Sequence, residues 1–157
     1  MTDTTHEHYL REAIALSESA MSKGNEPFGA LLVRDGVVLL RIENSVATGH
    51  DMTNHAEMNL VKEAMKQYEP TELHDCTLYT STEPCAMCAG ATYWSGIGRV
   101  IFGCSEARLG EIAGIGLAVP CRHIFESGAR RVEVVGPLLE DEAAAVHLRY
   151  WPTVLGD

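Results

Sequence analysis

The chain has 157 residues, of which 46% are hydrophobic and 22% charged, a balance that suits one folded domain and excludes a disordered acidic tail. Twelve Lys and Arg stand against 22 Asp and Glu, so the net charge is −10. A surface that negative repels phosphates, which weighs against nonspecific nucleic-acid binding and fits small uncharged substrates better.

Apolar spacing over residues 7–23 places Leu10, Ile14 and Met21 on one helical face, and Lys23-Gly24-Asn25 ends that helix. Two short apolar runs follow, 28–33 and 37–42, and Asp35-Gly36 between them is a hairpin signal. A loop over 44–53 leads to a second helix, 54–67, striped by Met58, Val61 and Met65. A third strand is expected over 77–80, then a helix from Pro84 to about residue 95 and a fourth strand over 100–102. Residues 105–128 are Gly-rich and read as one or two short helices. A fifth strand over 132–135 and a last helix over 139–150 complete the order. Strands that alternate with helices after an opening hairpin imply an α/β fold, a mixed sheet with helices on both faces, as one domain over 1–157.

No apolar run approaches the roughly 18 residues that span a bilayer, and the N-terminus has no basic segment before an apolar stretch. A cytoplasmic protein without a membrane partner is therefore expected. The five Cys are an odd number, and two form Cys-x-x-Cys. In a chain without an export signal, that pattern favours metal or thiol chemistry over disulfides. His6, His8 and His74 read as solvated, and Cys76, Cys104 and Cys121 as small buried apolar residues.

Two segments carry the chemistry: Asn54-His55-Ala56-Glu57 opens the second helix, and Glu83-Pro84-Cys85-Ala86-Met87-Cys88 opens the third. Together they offer His55, Cys85 and Cys88 as three zinc ligands and Glu57 as a carboxylate off the metal. Three protein ligands leave the fourth tetrahedral position for water, whose pKa then falls from about 15.7 to about 7. Cysteines at a helix N-terminus are favoured as thiolates. The competing readings are a structural zinc site, with its fourth ligand from Cys76, Cys104, Cys121, His50 or His123, and a redox Cys pair. The redox pair leaves His55 and Glu57 without a role.

With Pro27-Phe28-Gly29-Ala30, Asn44 and Gly98-Arg99-Val100-Ile101-Phe102-Gly103, these segments resemble the zinc-dependent cytidine and nucleobase deaminases over nearly the whole chain. The resemblance implies a three-layer α/β/α sandwich around a five-stranded mixed sheet. It also implies one Zn2+ per chain between the N-termini of the second and third helices, and a homodimer or larger assembly. The implied reaction is hydrolytic deamination by hydroxide on zinc. Glu57 takes the water proton and passes it to a ring nitrogen, then to the departing amine. Asn44 matches the substrate-binding Asn of the family, the Ala56 N–H is a further donor, and Phe28 and Trp94 are apolar walls for a flat base. Asn44 as a turn former, and Phe28 or Trp94 as core, are the plainer alternatives.

Pro27-Phe28-Gly29-Ala30 and Ala91-Thr92-Tyr93-Trp94 look most like bacterial guanine deaminases. The resemblance thus points to a free nucleobase or nucleoside, guanine first and cytosine next. The alternative is a transfer-RNA adenosine deaminase. Against it stand the net charge and a tail, Arg149-Tyr150-Trp151-Pro152, that lacks a basic run.

Overall fold

In the computed structural model, which describes residues 2–156, thirteen elements follow in order. They are α1 (Asp3–Ser22), β1 (Gly29–Arg34), β2 (Val37–Glu43), α2 (Val46–Gly49), α3 (Ala56–Gln67), α4 (Pro70–Leu73), β3 (Thr77–Thr82), α5 (Ala86–Ser95), β4 (Arg99–Cys104), α6 (Glu106–Ala113), α7 (Cys121–Glu126), β5 (Glu133–Val135) and α8 (Glu140–Leu155). Met1 and Asp157 lie outside the described residues.

The strands form one sheet in the order β2-β1-β3-β4-β5. β1 is antiparallel to β2 and β3, whereas β3, β4 and β5 run parallel. The expected mixed sheet is therefore present. Asp35 and Gly36 both have positive φ (50° and 75°), the backbone that a tight two-residue hairpin turn requires.

Strand periodicity builds the layers. Successive residues of a strand point to opposite faces, and here both faces are covered. Ala30, Leu32, Leu78, Val100 and Phe102 meet Ala56, Leu60 and Ala89 of α3 and α5 on one side. Their neighbours Leu31, Val33, Tyr79 and Ile101 meet Tyr9, Leu10 and Ala13 of α1 on the other. A third cluster joins Leu109 of α6 to Ala143, Val146 and Trp151 of α8. Among the described residues, no helix is long and apolar enough to cross a membrane.

Several details differ from the sequence expectation. Pro84 precedes α5 rather than entering it, because Cys85 is the N-cap. α8 continues through Pro152 to Leu155. Pro152 removes a bond to the carbonyl of Leu148 four residues back, on the exposed side of the helix. His6 is buried rather than solvated, its Nδ1 2.8 Å from the Tyr79 hydroxyl where α1 lies on β3.

Candidate active site

The site lies where the parallel strands β3 and β4 end. Thr82 of β3 pairs with Cys104 of β4, and both chains leave the sheet at that edge. Open α/β sheets form their ligand crevices outside such carboxyl ends. From β3 the chain passes through Glu83 and Pro84 to Cys85, the N-cap of α5. His55 is the N-cap of α3, which packs beside α5. Two helix N-termini thus bring the three sequence-predicted ligands together.

His55 Nδ1 lies 3.7 Å from Cys85 Sγ and 3.6 Å from Cys88 Sγ. Zn–S bonds of about 2.3 Å and Zn–N bonds of about 2.0 Å, at a tetrahedral angle, require an N···S edge of about 3.5 Å. The donors therefore fit zinc. Among the described residues no fourth Cys, His or carboxylate joins them, and Cys76, Cys104 and Cys121 are buried as free thiols. The Cys85 thiol is pulled down to about 4, first by its hydrogen bond with Cys88 and against burial. His55 is raised, first by its bond to Cys85. Both shifts concentrate opposite charges between the donors, the arrangement that a bound cation replaces.

Glu57 is buried on the first turn of α3, where its Oε1 accepts a 3.1 Å hydrogen bond from Thr80 Oγ1. Burial, followed by the charge of Cys85, pushes its carboxyl up to about 7. The cluster and Glu57 open onto a cleft of about 220 Å³, lined also by Glu26, Phe28, Glu83, Glu106, Leu109 and Trp151. No Lys or Arg lines it.

Phe28 lines this cleft with its ring stacked on His55, 6.5 Å between centroids and 9° between planes. Its carbonyl accepts the backbone N–H of Asn44. Asn44 is buried, and its Oδ1 shapes the following turn by accepting from Val46 N–H. Its Nδ2 is the buried side-chain donor left without a partner among the described residues. Ala56 is fully buried as the first residue of α3.

Trp94 does not reach the cleft within the chain. It is 80% exposed, because α5 turns Cys88, Ala89, Thr92 and Ser95 inward and Trp94 outward. The tryptophan in the cleft wall is Trp151 of α8. Its Nε1–H donates to His147 Nδ1 at 3.0 Å, so the other ring nitrogen of His147 carries the proton and donates to Thr82 Oγ1 at 2.7 Å. Glu83, which sequence reasoning left without a role, accepts the Glu106 N–H at 2.9 Å and the Cys121 N–H at 2.8 Å. One carboxylate thereby ties α6 and α7 to the segment that carries Cys85.

The layered sheet, with a His–Cys–Cys cluster open at one corner beside a buried carboxyl, defines the class: a zinc enzyme on a cytidine deaminase-like fold. The family model described as the cytidine and deoxycytidylate deaminase zinc-binding region matches residues 3–104, and the chain belongs to this family of zinc-dependent deaminases. It is 43% identical over 149 residues to the "Probable cytosine deaminase" of Schizosaccharomyces pombe, covering 91% of this chain and 90% of that protein. It is 36% identical over 143 residues to the tRNA-specific adenosine deaminase of Bacillus subtilis, covering 91% and 86%. Among solved structures it resembles a guanine deaminase from Nitrosomonas europaea, with a TM-score of 0.78 and 25% identity over 90% of this chain and 82% of that one.

Proposed function

We propose that the protein hydrolytically deaminates a small aminated base, free or as its nucleoside, with guanine first and cytosine next. The observation that carries this reading is the cleft itself. It is small, and four carboxyl-bearing residues, Glu26, Glu57, Glu83 and Glu106, line it with no Lys or Arg. Such a lining repels a phosphodiester chain and accepts a flat, neutral heterocycle rich in N–H donors.

The roles follow from position. His55, Cys85 and Cys88 hold the zinc ion, which when bound supplies a water acidified to near neutrality. Glu57 takes one proton from that water and delivers it to a ring nitrogen, then passes a second proton, from the hydroxyl on the attacked carbon, to the amine that leaves as ammonia. Thr80 keeps the carboxyl aimed by its hydrogen bond. Asn44 Nδ2, unpaired and buried, donates to an acceptor on the base, and the Ala56 N–H at the start of α3 is a second donor. Phe28 and Trp151 cover the ring and keep water out. The same reading expects a cytoplasmic homodimer, checked by light scattering.

The similarity to the transfer-RNA adenosine deaminase of Bacillus subtilis supports a second reading, deamination of adenosine in RNA. One screen separates the two. Ammonia release is measured for guanine, cytosine, adenine and their nucleosides, alongside inosine formation in an anticodon stem-loop. Turnover of a free base or nucleoside, with the stem-loop unchanged, is expected. Editing of the stem-loop while every small substrate is ignored overturns the proposal.

A further inference from the structure

Of the four cleft carboxylates, Glu26 and Glu106 have no side-chain partner among the described residues, and Glu106 is the buried one. Glu57 is bonded by Thr80, and both oxygens of Glu83 are taken by backbone N–H groups. Glu106 is only 8% exposed and lines the same cleft, yet its carboxylate has no hydrogen bond or ion pair among the described residues. Nor does it belong to the zinc-ligand cluster. A buried carboxylate left unpaired is expensive, so native structures give such groups a partner. The Glu106 oxygens are not enclosed and are reachable from the cleft, where an N–H donor can pair with them.

The position of Glu106 is fixed and its face is open. It follows β4 at the sheet edge where Cys85 follows β3, and Glu83 holds its backbone N–H at 2.9 Å. Gly116 lies beside it without a side chain, where a Cβ would come 3.3 Å from Glu106 Oε2. Burial first, then the charges of Cys85, Glu83 and Glu57, raises its carboxyl to about 7. An N–H donor stabilises its ionised form.

We propose that Glu106 distinguishes a free base from its nucleoside by accepting the ring N–H that a nucleoside replaces with its glycosidic bond. The inference rests on the small-base reading above and narrows it to free bases. With the amine-bearing carbon at the zinc ligands, this assignment sets the sugar-bearing ring nitrogen toward Glu106 in the same cleft. In free guanine or cytosine that nitrogen carries a proton and is a donor. In a nucleoside, or in a base methylated at the same nitrogen, that donor is gone and a carbon occupies its place. The buried carboxylate is then left unpaired, the circumstance in which a site rejects an analogue strongly.

The test uses the zinc-loaded enzyme and compares kcat/KM for a free base with kcat/KM for the same base methylated at the sugar-bearing nitrogen. Wild type is expected to favour the free base. In Glu106→Ala the ratio should fall about 10- to 100-fold, the range for one hydrogen bond to a charged group. In Glu106→Gln, which keeps an acceptor but not the charge, the fall should be smaller. Zinc content and melting temperature establish that each variant is folded. A ratio within threefold of wild type in Glu106→Ala, or a wild-type preference for nucleosides, overturns the assignment. If wild type releases ammonia from no small substrate, the small-base reading falls as well. If it deaminates bases but the ratio does not move, only the role of Glu106 falls.

Discussion

Replacing His147 with Gln should remove one acid-sensitive component of stability. His147 is 1% exposed, and burial drives its imidazole down to about 4 from 6.5. Its contacts are uncharged: Thr82, Trp151 and the ring of Phe28. As pH falls through 6.5 the unfolded chain binds a proton there, but the folded chain does not until about 4. Stability is therefore full at neutral pH, declines as pH drops across that window, and levels off below it. The whole gap is worth about 3 kcal/mol, and about 2 kcal/mol of it is exercised between pH 7 and pH 5. Urea unfolding of wild type and His147→Gln across that range, with zinc bound, measures it. Wild type should be the more stable at pH 7, and its advantage should shrink by about 2 kcal/mol at pH 5. The subtraction cancels Glu57, Glu106 and every other group common to both proteins. An advantage that stays constant across the range would refute the buried, neutral imidazole.

Glu57→Gln should retain one zinc per chain while kcat falls about 10²- to 10⁴-fold, as proton transfer is lost; metal analysis and steady-state kinetics decide it, and wild-type turnover removes the proton-transfer role. Cys88→Ala should lose zinc and melt earlier, because metal binding is coupled to folding. A full equivalent of tightly held zinc would contradict the ligand set. Glu83→Gln turns one of two acceptors into a donor facing a backbone N–H, so a loss of about 2–4 kcal/mol is expected in urea unfolding. Unaltered stability would show that the two bonds are dispensable.

The His55, Cys85 and Cys88 cluster and the nearby Glu57 were legible in the sequence because the proposed chemistry demands particular residue types at short spacing. The strands and long helices were legible because period-2 and period-3.6 apolar patterns have one main cause, burial. Phe28 lines the cleft and its carbonyl accepts the Asn44 backbone N–H, whereas Asn44 itself lies behind the lining residues. Tertiary placement decided the rest. Trp94 and Trp151 are alike in sequence, and only helix rotation sends one outward and the other into the wall. Glu106 begins α6 after the N-cap Ser105, where an acid ordinarily complements the helix dipole at the surface. His147 sits one helical turn from Trp151, a spacing that looks like routine core until the hydrogen bond is seen. Glu83 likewise reads as part of the motif around Cys85 and reveals its clamp only when residues 106 and 121 come to it.

The metal donors come from α3 and α5, whereas Glu106, Leu109 and Trp151 come from segments after β4. The family match ends at residue 104, two positions before Glu106. The metal donors and these cleft residues thus come from separate stretches of chain, joined at the cleft and by Glu83, which accepts the Glu106 and Cys121 N–H groups. Exchanging the downstream stretch between relatives is then a route to altered selectivity that must carry the Glu83 clamp on residues 106 and 121 with it.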